Sequence, residues 1–245
     1  MIRRTGALLT ALLGSGVAWA GPPYVTDDPE PTDTGKWEIY GFGSGTGFAH
    51  ATEGATGFDI NYGGARDLQL TMVIEVDHQH GGPDGNHSGF GGMEVGAKYR
   101  LLHQKAGSWL PDMSLFPKLA LPTAGKRFGS GKLGVRLPLW AQKDIGAWSL
   151  FGGGGYVLNP GAGQRDYWQT GIALTRAVTQ SLSLGGELYH QGRDADDGRS
   201  TTGLGVGASW QVAPHWSLIG SGGPILAHRD SSGDYAFYLA LEFHN

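Results

Sequence analysis

From Lys36 to the carboxyl terminus, apolar and polar positions alternate with a period of two. The run DLQLTMVIEVD, residues 67–77, is the cleanest case. Leu68, Leu70, Met72, Ile74 and Val76 fall on one face; Gln69, Thr71, Val73, Glu75 and Asp77 fall on the other. A helix would scatter these residues, whereas a strand sends successive side chains to opposite faces. The same grammar sets Phe58, Ile60 and Tyr62 against Asp59 and Asn61. It sets Met93, Val95, Ala97, Tyr99 and Leu101 against Glu94, Lys98 and Arg100, and Leu182, Leu184 and Leu188 against Ser183, Glu187 and Tyr189. Similar segments begin near Met113, Lys132, Trp148, Tyr167, Gly203, Trp216 and Tyr235. With a first strand near 36–48, the pattern predicts about twelve strands.

The connections alternate in length. Short turns are predicted at 63–66, 143–146, 179–180 and 213–215, and longer loops at 78–89, 122–130, 159–166, 192–200 and 228–234. The stretch 103–111 is the exception, longer than a tight turn. Short turns at one end and long loops at the other are what a transmembrane barrel shows. Trp37, Tyr99, Trp148, Trp168, Trp210 and Trp216 lie near strand ends, where interfacial girdles sit. The expected fold is therefore all-β, a transmembrane antiparallel up-and-down β-barrel over 36–245. A soluble β-sandwich or lipocalin-like barrel has the same periodicity with its faces reversed.

Composition sharpens this. Glycine is abundant, with 44 residues, and suits close backbone approach and sheet curvature. There is no cysteine, which excludes a disulfide-stapled fold. Residues 1–20 read as a signal peptide. Arg3 and Arg4 form its basic start, Leu8, Leu9, Leu12 and Leu13 its short apolar stretch, and Ala18-Trp19-Ala20 its small-residue cleavage site. Removing Arg3 and Arg4 takes the formal charge from −4 to −6 (−4 − 2). A mildly acidic exported chain argues against nucleic acid as a partner. Export and barrel pattern together imply the outer membrane, with its lipid and a small-molecule solute as partners. Nothing in the sequence sets an oligomeric state.

Between the cleavage site and the first strand stands GPPYVTDDPEPTDTGKWEIY, residues 21–40. Pro22, Pro23, Pro29 and Pro31 bar helix and central strand, so 21–35 is a stiff acidic lead-in on the periplasmic side. It is expected either to trail free or to act as a latch or partial plug. In the second case Asp27, Asp28 and Glu30 would meet basic residues of the lumen such as Lys98, Arg100, Lys118 or Arg136. The segment also resembles the opening of the MetA-pathway phenol degradation family of outer-membrane proteins. The resemblance rests on Gly21, Pro22, Pro23, Thr26, Asp27, Asp28, Pro29, Gly35, Trp37 and Glu38. It implies outer-membrane export and uptake near aromatic catabolism, and brings no catalytic residues.

The inward parity collects the candidate pore lining: Glu75, Asp77, Glu94, Lys98, Arg100, Lys118, Arg136 and Glu187. Both signs occur, so the lumen reads either as a polar pore or as ion pairs locking a narrow barrel. His78, His80, Asp84 and His87 in VDHQHGGPDGNH form a candidate metal set, against the plainer reading of a polar outer loop. GSGKLG at 129–134 precedes a strand, so it fails as a dinucleotide loop, and no cofactor is expected. A lipid-modifying barrel enzyme would need Ser and His at one height, with His190 and Ser183 or Ser209 as the conceivable pair. No residue stands out as catalytic. The favoured function is passive uptake of small solutes, aromatic ones among them; the alternatives are that enzyme and a structural barrel without transport.

Overall fold

The computed structural model describes residues 23–48, 51–81, 85–227 and 233–245. The expected signal peptide at 1–20, Gly21, Pro22 and Asp84 lie outside the described residues. The strands are β1 (Trp37–Gly47), β2 (Ala51–Ala65), β3 (Leu68–Gly81), β4 (His87–Leu102), β5 (Asp112–Leu115), β6 (Lys118–Leu121), β7 (Gly134–Ile145), β8 (Trp148–Leu158), β9 (Tyr167–Ala177), β10 (Leu182–Gln191), β11 (Thr201–Ala213), β12 (Trp216–Pro224) and β13 (Tyr235–His244).

Each strand pairs antiparallel with its neighbours, and β13 pairs with β1 from Glu38↔His244 to Gly47↔Tyr235, closing the sheet. Strands β5 and β6 both lie between β4 and β7. Phe116 and Pro117 separate them, so the thirteen strands make a barrel of twelve staves (13 − 1). The ladder continues across the break through Phe116 N to Pro138 O at 3.0 Å and Ala97 N to Pro117 O at 3.1 Å. Closure matters because hydrocarbon offers no partner to an unpaired backbone group.

The parity read from the sequence sets the two faces. Phe58, Leu70, Ile172, Leu204, Val206 and Leu239 all point outward and are exposed, Val206 by 73%. Gln69, Thr71, Lys98, Ser114, Gln142 and Glu187 are buried inside. That is a soluble protein turned inside out, and lipid is the solvent that suits it. At the end bearing the short turns and the carboxyl terminus, Trp37 packs on Tyr62 with ring centroids 4.6 Å apart, and Trp216 on Phe243 at 5.2 Å. At the other end Tyr156 packs on Trp168 at 5.3 Å. These are the two girdles.

Three of the four short turns carry one residue in the left-handed region: Asp67 (φ 64°), Gly146 (φ 62°) and His215 (φ 67°). The loop expected at 78–89 is mostly strand. β3 runs on to Gly81 and β4 starts at His87, so His78, His80 and His87 belong to a hairpin. Thr52↔His80 and His78↔Ser88 pairing extends the ladder with polar side chains on both faces, which masks the apolar alternation. The inner face also holds apolar groups: Phe116, Trp140, Phe151, Val157 and Ile219 are all at least nine-tenths buried.

Arginine at a lipid-facing mid-strand position should be costly. Ile172→Arg, at the centre of β9, is expected to lower folding stability in lipid vesicles by roughly 2–4 kcal/mol. Ile145→Arg, at the turn end of β7, should cost about 1 kcal/mol or less. Equal losses in urea titrations would mean that this face does not meet hydrocarbon.

Candidate functional site: the lead-in within the lumen

Residues 23–34 do not trail away from the barrel; they run up its interior. Gly35 N donates to Gly63 O (2.7 Å) and Gly63 N to Lys36 O (3.0 Å), which anchors the base at the β2–β3 turn. Above it Thr32 donates to Gln69 Oε1 from its amide (2.9 Å) and its hydroxyl (3.1 Å). Ser114 of β5 donates to Pro29 O. Glu187 of β10 accepts from Val25 N (3.1 Å), Thr26 N (3.1 Å) and Thr26 Oγ1 (3.0 Å). At the top Ser221 of β12 donates to Pro23 O at 2.6 Å. The prolines explain the partners. A segment that cannot form its own ladder must satisfy its backbone from the wall.

Two of the three acidic residues of the latch reading, Asp27 and Asp28, meet a base, whereas the Glu30 carboxylate accepts from Gln142 instead. Lys98 Nζ lies 3.0 Å from Asp27 and 3.5 Å from Asp28, and is 95% shielded from solvent. Both carboxylates come from the lead-in and the ammonium from β4. Breaking a buried pair by removing one partner costs several kcal/mol, since a charge is left without compensation. Phe116 lies under this group, its ring 5.0 Å from Lys98 Nζ and 4.4 Å from Lys118 Nζ.

The other candidate lumen residues sort into groups. Glu94 faces Lys118 (3.4 Å) and Arg136 (3.2 Å) across β4, β6 and β7. Arg100 faces Asp67 (3.5 Å) and Asp112 (3.8 Å) near the short-turn end. Glu75 neighbours Asp77 and Glu94. Asp77 and Glu187 line the cavity above the lead-in. Sequence reading passed over Thr26, Thr32, Ser114, Gln142 and Ser221 as seat residues. Period-two parity marks all the wall members as inward, but nothing in the sequence says what they face.

The wall also yields space. A side chain on Gly171 of β9 would collide with Thr26, and one on Gly185 or Gly207 with Tyr24. Inner-face glycines thus form the groove in which the lead-in lies, one physical use of the glycine-rich composition.

Glu30, Asp112 and Asp144 bring carboxylate oxygens within 4.8 Å of one another, the one such acidic or His group able to hold a metal among the described residues. Protein donors already occupy it. Gln142 Nε2 reaches Glu30 (3.1 Å) and Asp144 (3.2 Å), and Gln104 Nε2 reaches Asp144 (2.7 Å). The His set sits elsewhere. His78 uses both ring nitrogens on hydroxyls, Thr56 at 2.8 Å and Ser88 at 2.9 Å, and its ring stacks on His80 at 6.3 Å. The conceivable Ser–His pair is split. Ser183 and Ser209 are cross-strand partners on the inner face. His190 faces outward, bonded to Thr202 at 2.8 Å. It lies seven residues along β10, about 23 Å from Ser183.

Burial first, then the Asp144 and Asp112 carboxylates, push the Glu30 carboxyl up to about 7, against Arg100 and Lys98. A raised carboxyl pKa in the seated state means that seating takes up a proton. The seat is then firmest below the ordinary value near 4.5 and weakens as pH rises towards 7. Conductance fluctuations of the reconstituted barrel should become more frequent across that window and lose this dependence in Glu30→Gln; a Glu30→Gln profile matching the native one would refute the assignment. Gly171→Val should expel Thr26 and raise single-channel conductance with the barrel still folded. An unchanged conductance would mean that this contact does not hold the lead-in.

Among known structures, the fold is similar to an outer membrane channel from Pseudomonas putida F1, at 19% identity and a TM-score of 0.69, covering 89% of this chain and 97% of that one. It is similar also to the NanC porin, at 9% identity and a TM-score of 0.56, covering 85% and 99%. The translocator domain of the autotransporter NalP from Neisseria meningitidis matches at 10% identity and a TM-score of 0.52, covering 86% and 88%. At such identities these likenesses speak for the fold. A comparison with curated proteins finds no sequence match. The family described as "Putative MetA-pathway of phenol degradation" matches residues 24–240, nearly the whole of the lead-in and barrel, and the chain belongs to that family.

Proposed function

We propose that the protein is an outer-membrane channel for passive uptake of small solutes, aromatic ones among them, with the lead-in as its constriction. The carrying observation is the pair of cavities that the lead-in leaves. A vestibule of 690 Å³ opens at the long-loop end and is floored by Pro23, Tyr24 and Val25. A smaller cavity of 90 Å³ lies beside Val25 and Asp27, against Lys118, Arg136 and Trp140. Val25 of the lead-in and Gln169 of β9 line both, so the two cavities are neighbours across these residues.

A solute would enter the vestibule, pass between the lead-in and the β6–β8 wall, and leave at the short-turn end. The long loops then face outward, and the short turns and the carboxyl terminus face the periplasm. No cofactor takes part; the lumen works by size and by fixed charge. The separation of His190 from Ser183 and Ser209 gives no support to a lipid-modifying site. The similar channel and porin folds are consistent with transport.

Deleting residues 23–33 removes the occupant and keeps every strand. Planar-bilayer recordings of that variant should show conductance several-fold above the native barrel. A deletion variant that folds and conducts no better than the native chain would overturn the channel reading.

A further inference from the structure

Charge along the lumen is not mixed at every height. Lys98, Lys118 and Arg136 gather beside and below the lead-in tip, paired with Asp27, Asp28 and Glu94. The vestibule above them is lined by Glu53, Asp77 and Glu187, with one imidazole, His78, and by no Lys or Arg among the described residues. Arg127 reaches the rim, donating to Gln79 at 3.2 Å, and is not part of the lining. Glu53, Asp77 and Glu187 stand on three strands, β2, β3 and β10, and all have inward parity.

Aromatic rings share the space. Tyr24 forms part of the floor, Tyr189 and Tyr238 rise from the wall, and Phe128 comes from the β6–β7 loop. Room for Tyr189 depends on Gly203, and room for Glu187 on Gly205, where an added side chain would meet them. At 690 Å³ the vestibule has the size of a small-molecule site. A low-dielectric wall focuses the field of fixed charges, and aromatic faces attract cations.

We propose that this vestibule is a binding site for small organic cations, amines carrying an aromatic ring in particular. The inference rests on the channel reading for its biological use, since it names the solutes that the channel would concentrate at its mouth. Glu187 is occupied by the lead-in, so Glu53 and Asp77 supply the free field. A cation entering here meets carboxylates and ring faces; an anion of the same shape meets the same carboxylates as a barrier.

Tyramine, with an ammonium, and 4-hydroxyphenylacetate, with a carboxylate, present the same phenol ring. Isothermal titration of the purified full-length barrel in neutral detergent should show tyramine binding about tenfold tighter or more, the effect of roughly one favourable ionic contact in a partly desolvated site. In the double variant Glu53→Gln with Asp77→Asn the ratio should fall to about threefold or less. A ratio within one variant does not depend on how much of the sample is folded. Equal binding of the two probes, tighter binding of the anion, no binding of either, or a ratio that survives the double variant would each overturn the proposal. Because titration needs no transport, a barrel that selects tyramine yet conducts nothing would refute the channel alone.

Discussion

A closed sheet of twelve staves encloses more room than its own inward side chains fill, and that surplus governs the molecule. Eight-stranded barrels can be packed shut by their lining, while the widest porins leave water inside. Here the wall contributes glycine at Gly171, Gly185 and Gly207, which enlarges the interior further, and the lead-in occupies the space. The barrel is thus finished by a segment that belongs to none of its strands. Its seat is polar because its prolines leave carbonyls and amides to be satisfied, and because four of its side chains, Asp27, Asp28, Glu30 and Asp33, are acidic.

A polar seat is a weaker lock than an apolar one. Each hydrogen bond to the wall is worth about 1 kcal/mol net, since water would replace it on release. Lys98 between Asp27 and Asp28 adds specificity of register more than raw stability, because desolvation offsets much of the Coulomb gain. Such an occupant is held in one place yet is not fused to the wall, a sound basis for a constriction. Fixed charge then acts on either side of it: acids above, the Glu94–Lys118–Arg136 group beside it, and the Glu30–Asp112–Asp144 carboxylates below.

The fold was largely legible because strand parity is a strict physical rule. One face of DLQLTMVIEVD meets lipid and the other does not, and every strand repeats that choice. The number of staves followed from counting such runs, with the break at Phe116-Pro117 hidden because parity survives across it. The extension of β3 and β4 through the histidines was not legible, since beyond the membrane both faces are polar and alternation disappears. The site was half legible. Acidic lead-in and basic lumen announced a charge match, but the choice of Lys98 over Lys118 or Arg136 depends on height within the barrel. Gln69, Gln142 and Ser114 are neutral, and only geometry reveals what they hold.

The absence of native cysteine makes a direct test of the seat simple. Pro23→Cys combined with Ser221→Cys places two thiols at the point where the tip of the lead-in meets β12. If the lead-in occupies the lumen, mild oxidation of the protein in native membranes will join them and hold the reconstituted barrel in a single low-conductance state, with openings restored by reductant. Thiols that stay unlinked in a folded barrel, or a linked barrel whose conductance does not differ from the reduced one, would contradict it.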